Sequence, residues 1–178
     1  VEAPVRGRIC MNMMMAYVTH IPNVRPGDPV LLLGEGAAAR IDAADLTARL
    51  IRCPSVTPEE GGALALLQDL LEAVGFACAR VDRGDVSNLF ARWGAKGHPK
   101  TFGFNGHTDV VPPGDLSKWT HDPYTGYEDD EVIYGRGGSD QEGGMAAMVY
   151  GAKIIKDLDL FDDFTLLVTG TVQEEDCD

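Results

Sequence analysis

The chain has 178 residues, 44% of them hydrophobic and 24% charged. That composition excludes wholesale disorder and suits one domain, or one domain with an appendage. With 15 Lys and Arg against 28 Asp and Glu the formal net charge is −13, which argues against nucleic acid and anionic membrane surfaces as partners. No apolar run approaches the ~20 residues that span a bilayer, and the first residues, Val1 to Arg6, carry no hydrophobic leader pattern. Cys10, Cys53, Cys78 and Cys177 are scattered without a Cys-x-x-Cys pair and read as free thiols of a cytoplasmic protein.

Residues 1–34 read as strand and turn. Tyr17-Val18-Thr19 and Val30 to Leu33 are strand-like, separated by Pro22, Pro26-Gly27-Asp28 and Pro29. Gly34 to Ala39 looks like a linker. Asp42 offers an N-cap before Leu46, Leu50 and Ile51, which predicts a helix to about Arg52. After Pro54 and Pro58, residues 59–74 form the clearest amphipathic helix, with Ala63, Leu67, Leu70 and Val74 on one stripe and Gly75 as its stop. Strands are predicted at 76–81 and 88–93, joined through a turn at Arg83-Gly84-Asp85, then at 101–105 and 131–134. A helix over 143–158, with Met145, Met148 and Ile155 facing inward, precedes an apolar strand at 164–169. Strands alternating with helices point to an α/β fold with a mixed sheet flanked by helices, preceded by a short β-rich N-terminal appendage. The expected division is 1–40 and 41–178.

Charge is unevenly spread. Residues 1–100 hold 11 basic and 11 acidic groups, whereas 101–178 hold 4 and 17. An acidic half reads either as a solvated surface, with Asp129, Asp130, Asp162 and Asp163 in turns, or as carboxylates gathered around cations.

Three stretches put metal-type ligands beside glycine or at a strand end. In Asn105-Gly106-His107-Thr108-Asp109, His107 and Asp109 project to one side of an extended segment, so that one could bind a metal and the other orient a neighbour. The alternative is an exposed loop. In Gly135-Arg136-Gly137-Gly138-Ser139-Asp140, Asp140 stands just before a helix start, as a ligand or as an N-cap. A phosphate loop is a further alternative, disfavoured by the missing Lys-Ser/Thr and the flanking acids. Glu174-Glu175-Asp176 follows an apolar strand. These neighbouring carboxylates repel one another unless a cation sits among them, and the glutamate pair suits a division of labour between metal ligand and proton carrier.

Taken in order, His-x-Asp, then Asp140 at 33 residues and Glu174 at a further 34, these motifs resemble the zinc-dependent aminoacylase/carboxypeptidase family over about residues 42–178. The stretches 45–58, 88–94 and 104–112 are similar to its succinyl-diaminopimelate desuccinylase branch. Gln141-Glu142 departs from that branch, and the segment 169–178 is closer to another branch of the family. The resemblance implies two zinc ions held by His107, Asp140 and Glu175, with Asp140 bridging them. Asp109 would orient His107, Glu174 would be the general base, and the bond after Asp140 would be cis. The substrate implied is an N-acyl amino acid or a peptide. His20, His98 and His121 are expected to be surface residues rather than replacement ligands.

Residues 1–40, through Arg6-Gly7-Arg8-Ile9-Cys10-Met11-Asn12 and Val24-Arg25-Pro26-Gly27-Asp28, resemble instead the C-terminal domain of alanine racemase. No pyridoxal-phosphate lysine comes with that part, so racemase chemistry is not implied. The sequence ends at Asp178, before the family's further ligands and the inserted lid through which members form homodimers. It is therefore read as a chimera holding an incomplete di-zinc catalytic domain. The rival expectation is a non-enzymatic or artificially assembled module in which the motif residues are inherited.

Overall fold

Leu46, Leu50 and Ile51, at helical spacing and each fully buried, build the first helix, α1 (Ala43–Ile51). The structure, a computed structural model, describes Arg25 and residues 43–129, 131–160 and 163–176. The expected β-rich appendage over 1–40, apart from Arg25, the linker and the Asp42 cap lie outside those residues. The elements described all belong to one unit, Ile41–Asp178.

The second helix, α2 (Ala63–Ala73), starts four residues later than the sequence predicts. Pro58, Gly61 and Gly62 fill turns first, and Gly62, with φ 93°, stands in a left-handed conformation that a continuing helix cannot use. Its inward stripe is also rotated from the expected one. Ala63, Leu64, Leu67 and Leu71 are fully buried, while Leu70 and Val74 are half-buried at its margin. Truncating a side chain as enclosed as Leu67 to alanine costs about 2–5 kcal/mol.

Four strands form a mixed sheet in the order β1-β2-β6-β3. These are β1 (Ala77–Arg80), β2 (Leu89–Trp93), β3 (Thr101–His107) and β6 (Thr165–Thr171). The hairpin β1–β2 is antiparallel and closes at Arg83 and Val86, the predicted turn. β2 pairs antiparallel with β6, and β6 pairs parallel with β3. The parallel pair requires a crossover, supplied by α3 (Glu142–Asp157). Along β6, Leu166, Val168 and Gly170 alternate inward, and the first two meet Leu64, Leu67, Met145, Val149 and Ala152 in one core. Ala146 and Ala152 lie wholly inside, so α3 packs through small residues as well as through Met145 and Ile155.

Two elements escaped the sequence reading. A 3-10 turn runs over Leu116–Lys118, with Asp115 accepting from the Ser117 amide at 3.0 Å. A two-residue strand β4 (Tyr127–Glu128) pairs with β5 (Ile133–Tyr134). Segments this short carry no periodicity to detect. β3 and β6 each run two residues beyond their predicted ends, so the ladder reaches His107 opposite Thr171. Among the described residues no helix is long and apolar enough to cross a membrane.

Candidate metal centre

The C-terminal ends of the parallel pair, the start of α3 and the segment after β6 meet at one end of the sheet. His107 closes β3 and is buried. Its Nδ1 lies 3.0 Å from the backbone oxygen of Asp109, which can only accept, so Nδ1 carries the hydrogen. Nε2 is left with its lone pair. It stands 3.2 Å from Asp140 Oδ1 and 3.7 Å from Glu174 Oε2. A neutral imidazole nitrogen aimed at carboxylate oxygens is repulsive unless the ring takes up a proton or a cation sits between them.

His107, Asp140 and Glu175 each offer a ligand atom within 4.8 Å of the others. One imidazole nitrogen with two carboxylate oxygens is a donor set that suits zinc and leaves further positions for water or substrate. Burial, and then the charge of Asp140, holds the Glu175 carboxyl above its ordinary pKa. A bound cation would oppose both effects. Asp140 is not an N-cap. Gln141 takes that position, the Asp140–Gln141 bond is cis, and the Asp140 side chain is largely exposed toward the imidazole.

Asp109 is fully buried. Its Oδ1 lies 3.5 Å from His107 Nδ1. Its Oδ2 accepts from the Thr57 hydroxyl at 2.6 Å and from the Glu175 amide at 3.1 Å. The segment after α1 grips the same loop. Ser55 Oγ donates to the Thr108 carbonyl at 2.6 Å, Val110 N to Ser55 O at 2.9 Å, and Thr57 N to Val110 O at 3.1 Å. The five candidate residues, His107, Asp109, Asp140, Glu174 and Glu175, are thus brought together. Glu174 also borders an open cleft of about 490 Å³ lined by Arg83, Val86, Asn88 and residues 171–173.

Thr57 and Gln141 were missed as contributors. Gln141 Oε1 accepts from the His107 amide at 3.2 Å, and nothing in a lone Thr or Gln announces such a contact in sequence. The other histidines sit elsewhere. His98 Nε2 pairs with Asp163 at 3.3 Å, and His121 stacks on Tyr127 at 3.8 Å. Both are half-buried rather than fully on the surface, because each has a partner to pack against. His20 lies outside the described residues. Cys53 and Cys78 are free thiols, and burial pushes Cys78 up to about 11, which leaves it protonated and inert. Cys10 and Cys177 lie outside the described residues.

Residues 103–178 match the model of peptidase family M20/M25/M40, and residues 1–55 match the C-terminal domain of alanine racemase. The chain is 64% identical over 111 residues to a succinyl-diaminopimelate desuccinylase of Paracoccus denitrificans, covering 62% of this chain and 29% of that protein. It is 61% identical over 111 residues to succinyl-diaminopimelate desuccinylase 1 of Ruegeria sp., with the same shares covered. Its fold is similar to an M20 family metallo-carboxypeptidase from Sulfolobus solfataricus, with TM-score 0.68 and 20% identity over 75% of this chain and 31% of that one. It is also similar to human carnosine dipeptidase 1, with TM-score 0.63 and 25% identity over 75% of this chain and 32% of that one. The chain therefore spans about three tenths of the length of the curated relatives it matches.

Proposed function

We propose that residues 41–178 are the N-terminal part of the catalytic unit of a metal-dependent amide hydrolase of peptidase family M20/M25/M40. The observation that carries this reading is the convergence of His107, Asp140 and Glu175 ligand atoms within 4.8 Å. Zinc is the metal the donor set favours, and two ions bridged by Asp140 is the arrangement the resemblance implies. The substrate class is an N-acyl amino acid or peptide, in keeping with relatives that are desuccinylases, a metallo-carboxypeptidase and a dipeptidase. The scattered thiols support a reducing, cytoplasmic setting.

Bound at this centre, zinc would supply Lewis-acid polarisation of the amide carbonyl and favour the ionisation of water. The chain's own residues do the rest. Asp109 holds the His107 ring in the tautomer that presents Nε2. The Glu174 carboxylate, exposed on the open side of the cluster, takes the proton of the attacking water and returns it to the departing amine.

The test is zinc stoichiometry by equilibrium dialysis with elemental analysis, on the parent chain and on Asp140→Ala. One or two zinc ions per chain, lost in the variant, is the expected result. A second reading, in which motif residues are passengers in a chain joined from two families, draws support from the racemase-domain match over 1–55. Zinc no higher than background in both proteins would establish that second reading.

A further inference from the structure

We propose that Gln141 is a positioning residue for the metal centre, holding the His107 and Asp140 segments at a fixed separation through its side-chain carbonyl. This inference rests on the metal-centre reading above. Its ground is the backbone at the end of β3. Thr108 N donates to Thr171 O at 2.9 Å, across to β6. Successive amides of a strand point to opposite sides, so the amide of His107 is turned away from β6. Among the described residues β3 is the last strand in the sheet order, and that amide has no strand there to meet. Gln141 Oε1 accepts it at 3.2 Å.

Gln141 is well placed for this, and its side chain makes no other hydrogen bond among the described residues. It is the N-cap residue of α3, yet its side chain makes no capping bond to the helix. Its amide instead lies in a slot between two glycines on different elements. A Cβ at Gly106 would stand 2.4 Å from Gln141 Oε1 and 2.4 Å from Met145 Sδ, and one at Gly144 would stand 3.1 Å from Gln141 Cγ. The approaches at Gly106 are closer than a Cβ tolerates and the one at Gly144 is tight, so the slot depends chiefly on the bare position at Gly106. The residue next to one ligand, Asp140, is thereby bonded to the backbone of another, His107. Groups that fix ligands in this way typically account for 10–100-fold in metal affinity.

The experiment compares the parent, Gln141→Leu and Gln141→Glu as full chains. Zinc affinity is read by competition with a chromophoric chelator, and amide hydrogen exchange at His107 is read in chelator-treated protein. Leucine removes the acceptor at similar bulk, whereas glutamate keeps an oxygen in its place. The expected result is a ~10–100-fold loss of zinc affinity in Gln141→Leu, with faster exchange at the His107 amide. Gln141→Glu restores both readouts. Gln141→Leu binding zinc as tightly as the parent, or losing affinity with His107 exchange unchanged, overturns the proposal while leaving the metal centre standing. A parent chain that takes up no zinc overturns the metal-centre reading and this one with it.

Discussion

The buried carboxylate of Asp109 accepts the backbone amide of Glu175 at 3.1 Å. It stands, through its other oxygen, 3.5 Å from His107 Nδ1. One side chain therefore spans two candidate ligand segments that lie 68 residues apart in sequence, standing beside the imidazole of one and pinning the main chain of the other. Asp109→Ala should act on both. The half-buried Thr57 hydroxyl and Glu175 amide would lose their acceptor, at a cost of about 0.5–1.5 kcal/mol for each hydrogen bond lost. Zinc affinity should fall ~10–100-fold. Denaturant unfolding in chelator and zinc titration measure the two effects separately. A variant with unchanged zinc affinity would confine Asp109 to holding the Thr57 and Glu175 segments.

Thr57 donates to the same carboxylate at 2.6 Å. Hydrogen bonds to a charged acceptor contribute about 1.5–3 kcal/mol, so Thr57→Val, which preserves shape and removes the donor, should lower stability by that order. Thr57→Ser should recover most of it. Urea midpoints for the three proteins in metal-free buffer decide the matter, and equal midpoints for valine and threonine would remove the hydroxyl from the account.

Glu174 faces His107 Nε2 at 3.7 Å but is outside the group of three whose ligand atoms converge. A proton carrier should be separable from a ligand. Glu174→Gln is expected to keep its zinc while losing any hydrolysis of N-acyl amino acids or dipeptides that the parent shows, by at least ~100-fold. Elemental analysis and a ninhydrin assay of released amine are sufficient. Loss of zinc from this variant would move Glu174 into the ligand set and leave the proton step without an owner.

The parts of this architecture that sequence exposes are those with a period or a motif. Leu46, Leu50 and Ile51 gave α1, and the apolar run after Phe164 gave β6. His107, Asp109, Asp140, Glu174 and Glu175 were picked out because such residues, at such positions, match a family's pattern. What sequence does not expose is pairing across the chain. The late start of α2 depends on Gly62 adopting φ 93°, and its rotated stripe depends on which leucines meet Leu166 and Val168 of β6. The Thr57 and Gln141 contacts join segments 52 and 34 residues apart, and no local pattern records a bond from an exposed-looking polar residue to a distant carboxylate or backbone amide.

Glu142 is the least expected feature. It begins α3, is 1% exposed, and both its carboxyl oxygens are buried with no hydrogen-bond partner among the described residues. Gly137 lies against it, since a Cβ there would stand 2.7 Å from Glu142 Oε2. The Tyr124 hydroxyl and the Arg136 Nε are likewise buried without a partner among the described residues. Burial pushes the Glu142 carboxyl up to about 8 from its ordinary 4.5. The folded protein holds this group neutral over a range where the unfolded chain ionises it. Its contribution to stability is therefore complete below about pH 4.5 and is lost as pH rises through 8. Each pKa unit of difference corresponds to about 1.4 kcal/mol, so the loss is of the order of a few kcal/mol. Glu142→Gln cannot ionise, and its unfolding free energy in chelator should fall less than the parent's between pH 5 and pH 8. The comparison is of slopes, because a buried amide brings hydrogen-bonding needs of its own. Parallel pH profiles for the two proteins would mean that Glu142 is solvated or paired in solution and titrates as an ordinary carboxylate.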